Sequence, residues 1–141
     1  MSTHKDVLGE HAQLDVLLRD LRAVSHWNAE LLREKQVRMK LVRDLQFLKV
    51  RLVQHFETEE SGSYMEEIRS RKPAAGDILK ALQVQHPIFL EQISFIEAAC
   101  EAEDVETDGC NDLLHKLSLL LDLIKLHEEE ENVLIKEVFQ R

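Results

Sequence analysis

Prolines and glycines are scarce in this sequence, two and four in 141 residues, and a chain with so few breakers favours helix. Its two cysteines, Cys100 and Cys110, do not make a disulfide framework. No apolar run reaches the roughly 18 residues that span a bilayer. The opening stretch MSTHKDVLGEH has no apolar signal core, so nothing directs secretion. A cytoplasmic protein without a membrane partner is expected. Basic residues are also short, 18 against 27 acidic ones, and the formal net charge of −9 argues against nucleic acid or an anionic membrane as partner. Alternating strand patterns, low-complexity tracts and internal repeats are absent.

What is present is helical periodicity. Hydrophobic residues make up 44% and charged residues 32%, a soluble composition, and the length suits a single domain, 1–141. Such a chain buries roughly 70% of its unfolded surface, enough for a core without disulfides. Four amphipathic segments emerge. The first spans about Lys5–Val24 with His4, Val7, His11, Leu14, Leu18 and Leu21 on one face. Asn28 is the expected N-cap of the second, which runs from Ala29 into the high 60s and loosens at Gly62. The third, about Ala74–Cys100, has the face Leu79, Leu82, His86, Phe89 or Leu90, Ile93 and Ile96. The fourth, with Asp108 as its expected cap, carries Leu113, Leu117, Leu120, Ile124, His127, Glu131, Leu134 and Val138. Four helices with short links predict an all-α, antiparallel up-down-up-down four-helix bundle.

The apolar faces end unexpectedly. Leu41, Leu45, Leu48 and Leu52 lead directly to His55 and Glu59 in the stretch HFETEE. Every predicted helix puts a histidine on its apolar face: His11, His55, His86 and His127. Two of these have a glutamate one turn later, Glu59 and Glu131. At 1.5 Å per residue, up-down topology places all six in one layer near one end of the bundle. Burying unpaired carboxylates costs several kcal/mol, and these faces carry no Lys or Arg within a turn of the layer. An external cation is the natural compensation. Imidazole with carboxylate suits iron, zinc or manganese, whereas magnesium and calcium prefer oxygen. Four His and two Glu exceed one tetrahedral zinc site and fit two metals with bridging carboxylates.

Other metal motifs fail. Ferritin-like bundles need Glu-x-x-His twice, and the single acidic match is Asp112 before His115, three turns away. The zincin H-E-x-x-H fails because Glu131 stands where the second His belongs. The chain has no Gly-rich phosphate loop and no arguable Ser-His-Asp arrangement.

The stretches EHAQL, HFETEE, QHPIFL and HEEEEN, in this order and covering essentially the whole chain, resemble the hemerythrin-like (HHE cation-binding) family of non-haem di-iron bundles. The resemblance implies His11, His55, His86 and His127 as terminal ligands and Glu59 and Glu131 as bridges between two iron ions. Oxygen-carrying members have H-x-x-x-H on the third helix, where this chain has Leu90 after His86. One metal is therefore expected to lose a nitrogen ligand, leaving an open position or a compensating carboxylate or water. The usual five-His oxygen carrier is not expected.

Around this layer several residues admit two roles. Glu60 and Glu128–Glu130 read as a solvated face that could contain one acceptor for a ligand imidazole. Tyr64 either donates to an oxygen species on the metal or caps the bundle end, and capping is the expectation. His4 either lines the mouth or frays with the terminus. His26 and His115 are not expected to bind metal, and Cys100 and Cys110 are expected to be two buried thiols. Pro87 either kinks its helix and re-aims His86 or starts a new helix.

The expected function is a di-iron centre that meets dioxygen, peroxide or nitric oxide, for binding, sensing or iron handling. Two ferrous ions bring +4 against −2 from the glutamates, and leucine-rich walls admit small apolar gases. The alternatives are a di-iron oxidoreductase that reduces peroxide or oxidises iron, and a zinc-bound or metal-free helical interaction module. A homo-oligomer is compatible with all three.

Overall fold

A computed structural model describes residues 3–139. Six α-helices follow one another: α1 (His4–Ser25), α2 (Ala29–Leu32), α3 (Lys35–Ser61), α4 (Tyr64–Arg71), α5 (Gly76–Cys100) and α6 (Thr107–Phe139), with a 3₁₀ turn at Pro73–Ala75 before α5. No strand occurs among the described residues, so the chain is all-α. None of the helices among these residues is long and apolar enough to cross a membrane.

Local chemistry explains where the helices begin. Thr3 and Asp6 form a capping box at α1: the Asp6 carboxylate accepts from the Thr3 N–H at 2.8 Å, and the Thr3 hydroxyl faces the Asp6 N–H at 3.4 Å. Asn28 is an N-cap as expected, its side-chain oxygen accepting from the Glu30 N–H at 2.9 Å. It caps only the single turn α2, however. The expected second helix is three pieces, α2, α3 and α4, and Arg38 explains the first break.

Arg38 is fully buried and donates to five carbonyls: Leu32 (3.0 Å), Arg33 (2.7 Å), Cys100 (2.9 Å), Ala102 (2.6 Å) and Glu103 (3.0 Å). In a continuous helix Leu32 and Arg33 would accept from Gln36 and Val37. Here the guanidinium takes them, and α3 restarts at Lys35. The same fork holds the C-terminal end of α5, where the helix dipole favours a cation. The second break falls at Gly62, which is extended (φ −92°, ψ −176°) between α3 and α4.

The other helix boundaries shift slightly. α5 begins at Gly76, after the 3₁₀ turn, and runs unbroken through Pro87, so no new helix starts there. Pro87 is exposed, and it removes only the bond to the Gln83 carbonyl. α6 starts at Thr107, which puts Asp108 in the first turn instead of at the cap. Its charge still complements the helix N-terminus.

α1 packs against α3 and α6, and α5 packs against the same two helices from the other side. In each pair rising residue numbers meet falling ones. Glu10 and Gln13 of α1 reach Thr58 and Arg51 of α3. Lys49 and Glu60 of α3 reach Ser94 and His86 of α5. Gln85 and Phe95 of α5 meet His127 and Lys116 of α6, and His11 and Arg22 of α1 meet Asn132 and Asp122 of α6.

The apolar core has two parts. The larger runs from Leu14, Leu52, Phe89 and Ile124 down to Val24, Leu41, Cys100 and Cys110. The smaller gathers Val7, Tyr64, Met65, Ile68, Ala75, Leu79, Leu134, Ile135 and Val138 at one end. Each buried Leu or Ile contributes about 1.5–3 kcal/mol. Both cysteines are free and buried, as expected. A layer of polar side chains lies between the two clusters.

Candidate metal centre

That layer is built from the six residues expected of it. α1 supplies His11, α3 His55 and Glu59, α5 His86, and α6 His127 and Glu131, each at most 3% exposed. They form two groups that share Glu59. In one, donor atoms of His11, His55, Glu59 and Glu131 all lie within 4.8 Å of one another; in the other, those of Glu59, His86 and His127 do. Glu131 touches both sides, its Oε1 standing 3.2 Å from His11 Nε2 and 3.2 Å from His127 Nε2. Glu59 spans them too, with Oε1 on His55 and Oε2 3.6 Å from His86 Nε2.

The outer nitrogen of each imidazole is held by an oxygen from the neighbouring helix. His11 Nδ1 meets Asn132 Oδ1 at 2.7 Å, and His55 Nδ1 meets Glu10 Oε1 at 2.9 Å. His86 Nδ1 meets Glu60 Oε1 at 3.0 Å, and His127 Nδ1 meets Gln85 Oε1 at 2.6 Å. An oxygen acceptor on Nδ1 requires the proton there, which leaves the Nε2 lone pair facing inward when the ring is neutral. Four converging lone pairs are the arrangement a metal requires. Thr58 orients Glu10 in turn, donating to its Oε2 at 2.9 Å.

These four acceptors follow a rule. Glu10 and Gln85 immediately precede His11 and His86, whereas Glu60 and Asn132 immediately follow Glu59 and Glu131. Adjacent residues point about 100° apart on a helix. One position turns into the centre, and its neighbour turns toward the histidine next door.

Electrostatics inside the layer are severe. Burial opposes protonation of His55, but the Glu131 and Glu59 carboxylates prevail and push its imidazole up to about 11. Burial, together with the Glu131 charge, raises the Glu59 carboxyl well above the usual range. Burial acts on Glu131 as well, yet the facing imidazoles of His11, His127 and His55 hold it well below that range. His86 is lowered, by burial first, with Glu60 opposing and His127 reinforcing. Protons therefore hold the carboxylates and imidazoles together, at positions a cation could take.

Several buried polar atoms in this layer have no hydrogen-bond partner: both Glu59 oxygens, Glu131 Oε2, and Nε2 of His86 and His127. His11 and His55 bring their Nε2 atoms to 3.1 Å, a contact that repels unless a proton or cation lies between. Donors about 2.1 Å from a shared ion stand roughly 3.0 Å apart at right angles and about 3.4 Å apart at the tetrahedral angle. Separations of 3.1 Å, 3.2 Å, 3.6 Å and 3.7 Å within the layer fall around those values. By donor type, spacing and orphaned atoms, the residues fit bound metal. Phe56 stacks on His86 at 3.8 Å and Phe89 meets His127 edge-on at 5.3 Å, fixing both rings from the apolar side.

The surroundings depart from expectation in places. Glu128 is buried at 1% exposure rather than solvated; burial and Asp15 push its carboxyl up to about 8, and Lys125 lies 3.8 Å away. Glu129 and Glu130 are exposed as expected, and Glu60 is the acceptor anticipated among these acids. His4 opens α1 and stacks flat on Phe139 at 4.1 Å instead of fraying. His26 and His115 are exposed, outside both groups. Sequence reasoning missed Glu10, Gln85 and Asn132. Their adjacency to the candidate ligands was the available signal.

No family model matches the chain, and neither a curated protein nor a solved structure matches it.

Proposed function

We propose that this chain is a hemerythrin-like protein: an antiparallel up-down-up-down four-helix bundle that holds two iron ions and meets dioxygen, peroxide or nitric oxide. The architecture is supported by the falling register in all four helix pairs. The acceptor rule supports it independently. A step back along one helix and a step forward along an oppositely directed one rotate the side chain in the same sense. Acceptors at −1 on α1 and α5 and at +1 on α3 and α6 fit alternating directions around the ring.

One observation carries the metal reading: four buried imidazoles, each held through Nδ1, converge on two buried carboxylates. His11 and His55 would hold one ion, His86 and His127 the other, with Glu59 and Glu131 reaching both. The mixed nitrogen and oxygen set favours iron, with zinc and manganese as the competing occupants. Iron, when bound, supplies a redox-active pair with room for a small ligand. The chain's part is to fix the imidazoles, keep bulk water out with its leucine and phenylalanine walls, and exclude larger molecules. Leu90, one turn after His86, is half-buried against the larger apolar cluster and offers no donor, so His86 and His127 would give that ion two imidazoles, as His11 and His55 give the other.

The coordination positions that two imidazoles and two shared carboxylates leave open also favour a second reading, catalytic reduction of peroxide or oxidation of iron. Turnover that depends on added peroxide or ferrous iron distinguishes it from simple binding.

The test of the main proposal is metal content per chain with an optical spectrum, on untagged protein exposed to air. About two irons are expected, with near-ultraviolet oxo-to-iron bands lost in a Glu59→Ala, Glu131→Ala pair. One zinc or no metal, with folding unchanged by chelator, would refute it.

A further inference from the structure

α4 buries one polar atom in the small cluster next to the metal layer. It packs across α3, α5 and α6, the helices that supply Glu59, His86 and His127. Its buried face, Tyr64, Met65 and Ile68, joins Val7, Leu79 and Val138 in the small cluster that closes this end of the helices. All of that face is apolar except the hydroxyl of Tyr64. The residue is 0% exposed, and its Oη is buried with no hydrogen-bond partner.

A buried tyrosine hydroxyl usually finds an acceptor. Leaving one without a partner costs about 1–3 kcal/mol, and phenylalanine would fill the same space without that loss. Simple capping of the helix ends therefore does not explain a tyrosine here. The charges of Glu131 and Glu59 reach the phenol and, after burial itself, oppose its ionisation. The phenol thus stays protonated, a donor without an acceptor in the cluster next to the polar layer. Both Glu59 oxygens and Glu131 Oε1 face imidazoles, and Glu131 Oε2 is itself without a hydrogen-bond partner, so neither glutamate accepts from the phenol.

We propose that the Tyr64 hydroxyl is the donor for a small anionic ligand, such as azide, hydroxide or a reduced dioxygen species, bound at the metal pair. This inference rests on the metal reading above and adds a specificity-determining residue to it. α4 would then be the element that selects the ligand. Its apolar residues shut the end of the helices, and its one hydroxyl favours ligands with a lone pair and negative charge over neutral diatomics.

Tyr64→Phe removes one atom and keeps the packing. The experiment loads the parent chain and the variant with iron, counts metal, and titrates each with azide by its charge-transfer band. The expected result is unchanged metal content and azide affinity at least about tenfold weaker, since a hydrogen bond to a charged group contributes about 1.5–3 kcal/mol. The infrared stretch of bound azide should shift between H₂O and D₂O in the parent and lose that shift in the variant. Unchanged azide affinity at full metal content overturns the inference and leaves the metal reading intact. Loss of one iron, or of a phenolate-to-iron band, overturns it in favour of Tyr64 as a ligand. Failure of the parent chain to load metal overturns both.

Discussion

Gln85→Leu tests the centre through a residue predicted to touch no metal. Among the described residues Gln85 Oε1 is the hydrogen-bond partner of His127 Nδ1, at 2.6 Å, and His127 is 3% exposed. Leucine keeps the bulk and helix propensity but removes the acceptor. The buried N–H then loses its partner, a cost of about 1–3 kcal/mol, and nothing fixes the proton on Nδ1. Loss of such an outer partner lowers metal affinity by about 10–100-fold, equivalent to about 1.4–2.8 kcal/mol. Because His127 would serve only one of the two ions, the loss should fall on one metal equivalent. A competitive chelator titration, a single phase in the parent, should split into two in the variant. Gln85→Glu, which restores an acceptor and adds charge, should recover or exceed parental affinity. Glu60→Gln keeps a carbonyl oxygen near His86 at a side chain that is 48% exposed, so its effect should stay within about threefold. Unchanged affinity for both equivalents in folded Gln85→Leu would refute the argument that the acceptor ring sets the imidazoles.

Metal loading at neutral pH should release about two protons per chain, from His55 and from the Glu59–Glu131 pair, so affinity falls as pH falls; calorimetry in buffers of different ionisation enthalpy counts them. Glu128 is raised to about 8 from an ordinary 4.5, so the stability linked to its proton is complete below about 4.5 and lost as pH rises through about 8. Glu128→Gln should therefore be more stable than the parent in urea at pH 9 and gain little at pH 4. Arg38→Met strands five carbonyls at the ends of α2 and α5 and should cost about 3–5 kcal/mol by denaturant unfolding, with a loss under about 1 kcal/mol contradicting the proposed clamp.

The six inward residues were legible because helical periodicity is strict. A histidine or glutamate on a leucine seam is conspicuous, and spacing alone sends His55 and Glu59 inward together. The acceptors escaped because each lies one residue off its own seam and serves another helix. Gln85 reads as surface until α6 is placed beside it. Glu128 escaped for a related reason: a run of four glutamates looks solvated, yet position 128 turns toward Asp15 on α1. Arg38 is the clearest failure of local reasoning. It sits inside a helical pattern continuous from Ala29, but its guanidinium bonds Cys100, Ala102 and Glu103, more than sixty positions away, and so splits the helix. No pattern within a window of one helix contains that contact.

The polar layer also separates the molecule into two units of unequal strength. On one side stands the large cluster, anchored by Arg38. On the other is the cap formed by α4, the 3₁₀ turn and the outer ends of α1, α5 and α6. Side chains that could hold a cation join these units, and without one the junction depends on shared protons. Opening of the cap is then a subglobal event whose free energy follows occupancy. Amide hydrogens of α4 and the end of α6 should exchange early in the metal-free protein and late in the loaded one, while those around Leu45 and Leu117 change little. A centre placed this way reports its own state mechanically, through the order of one end of the fold.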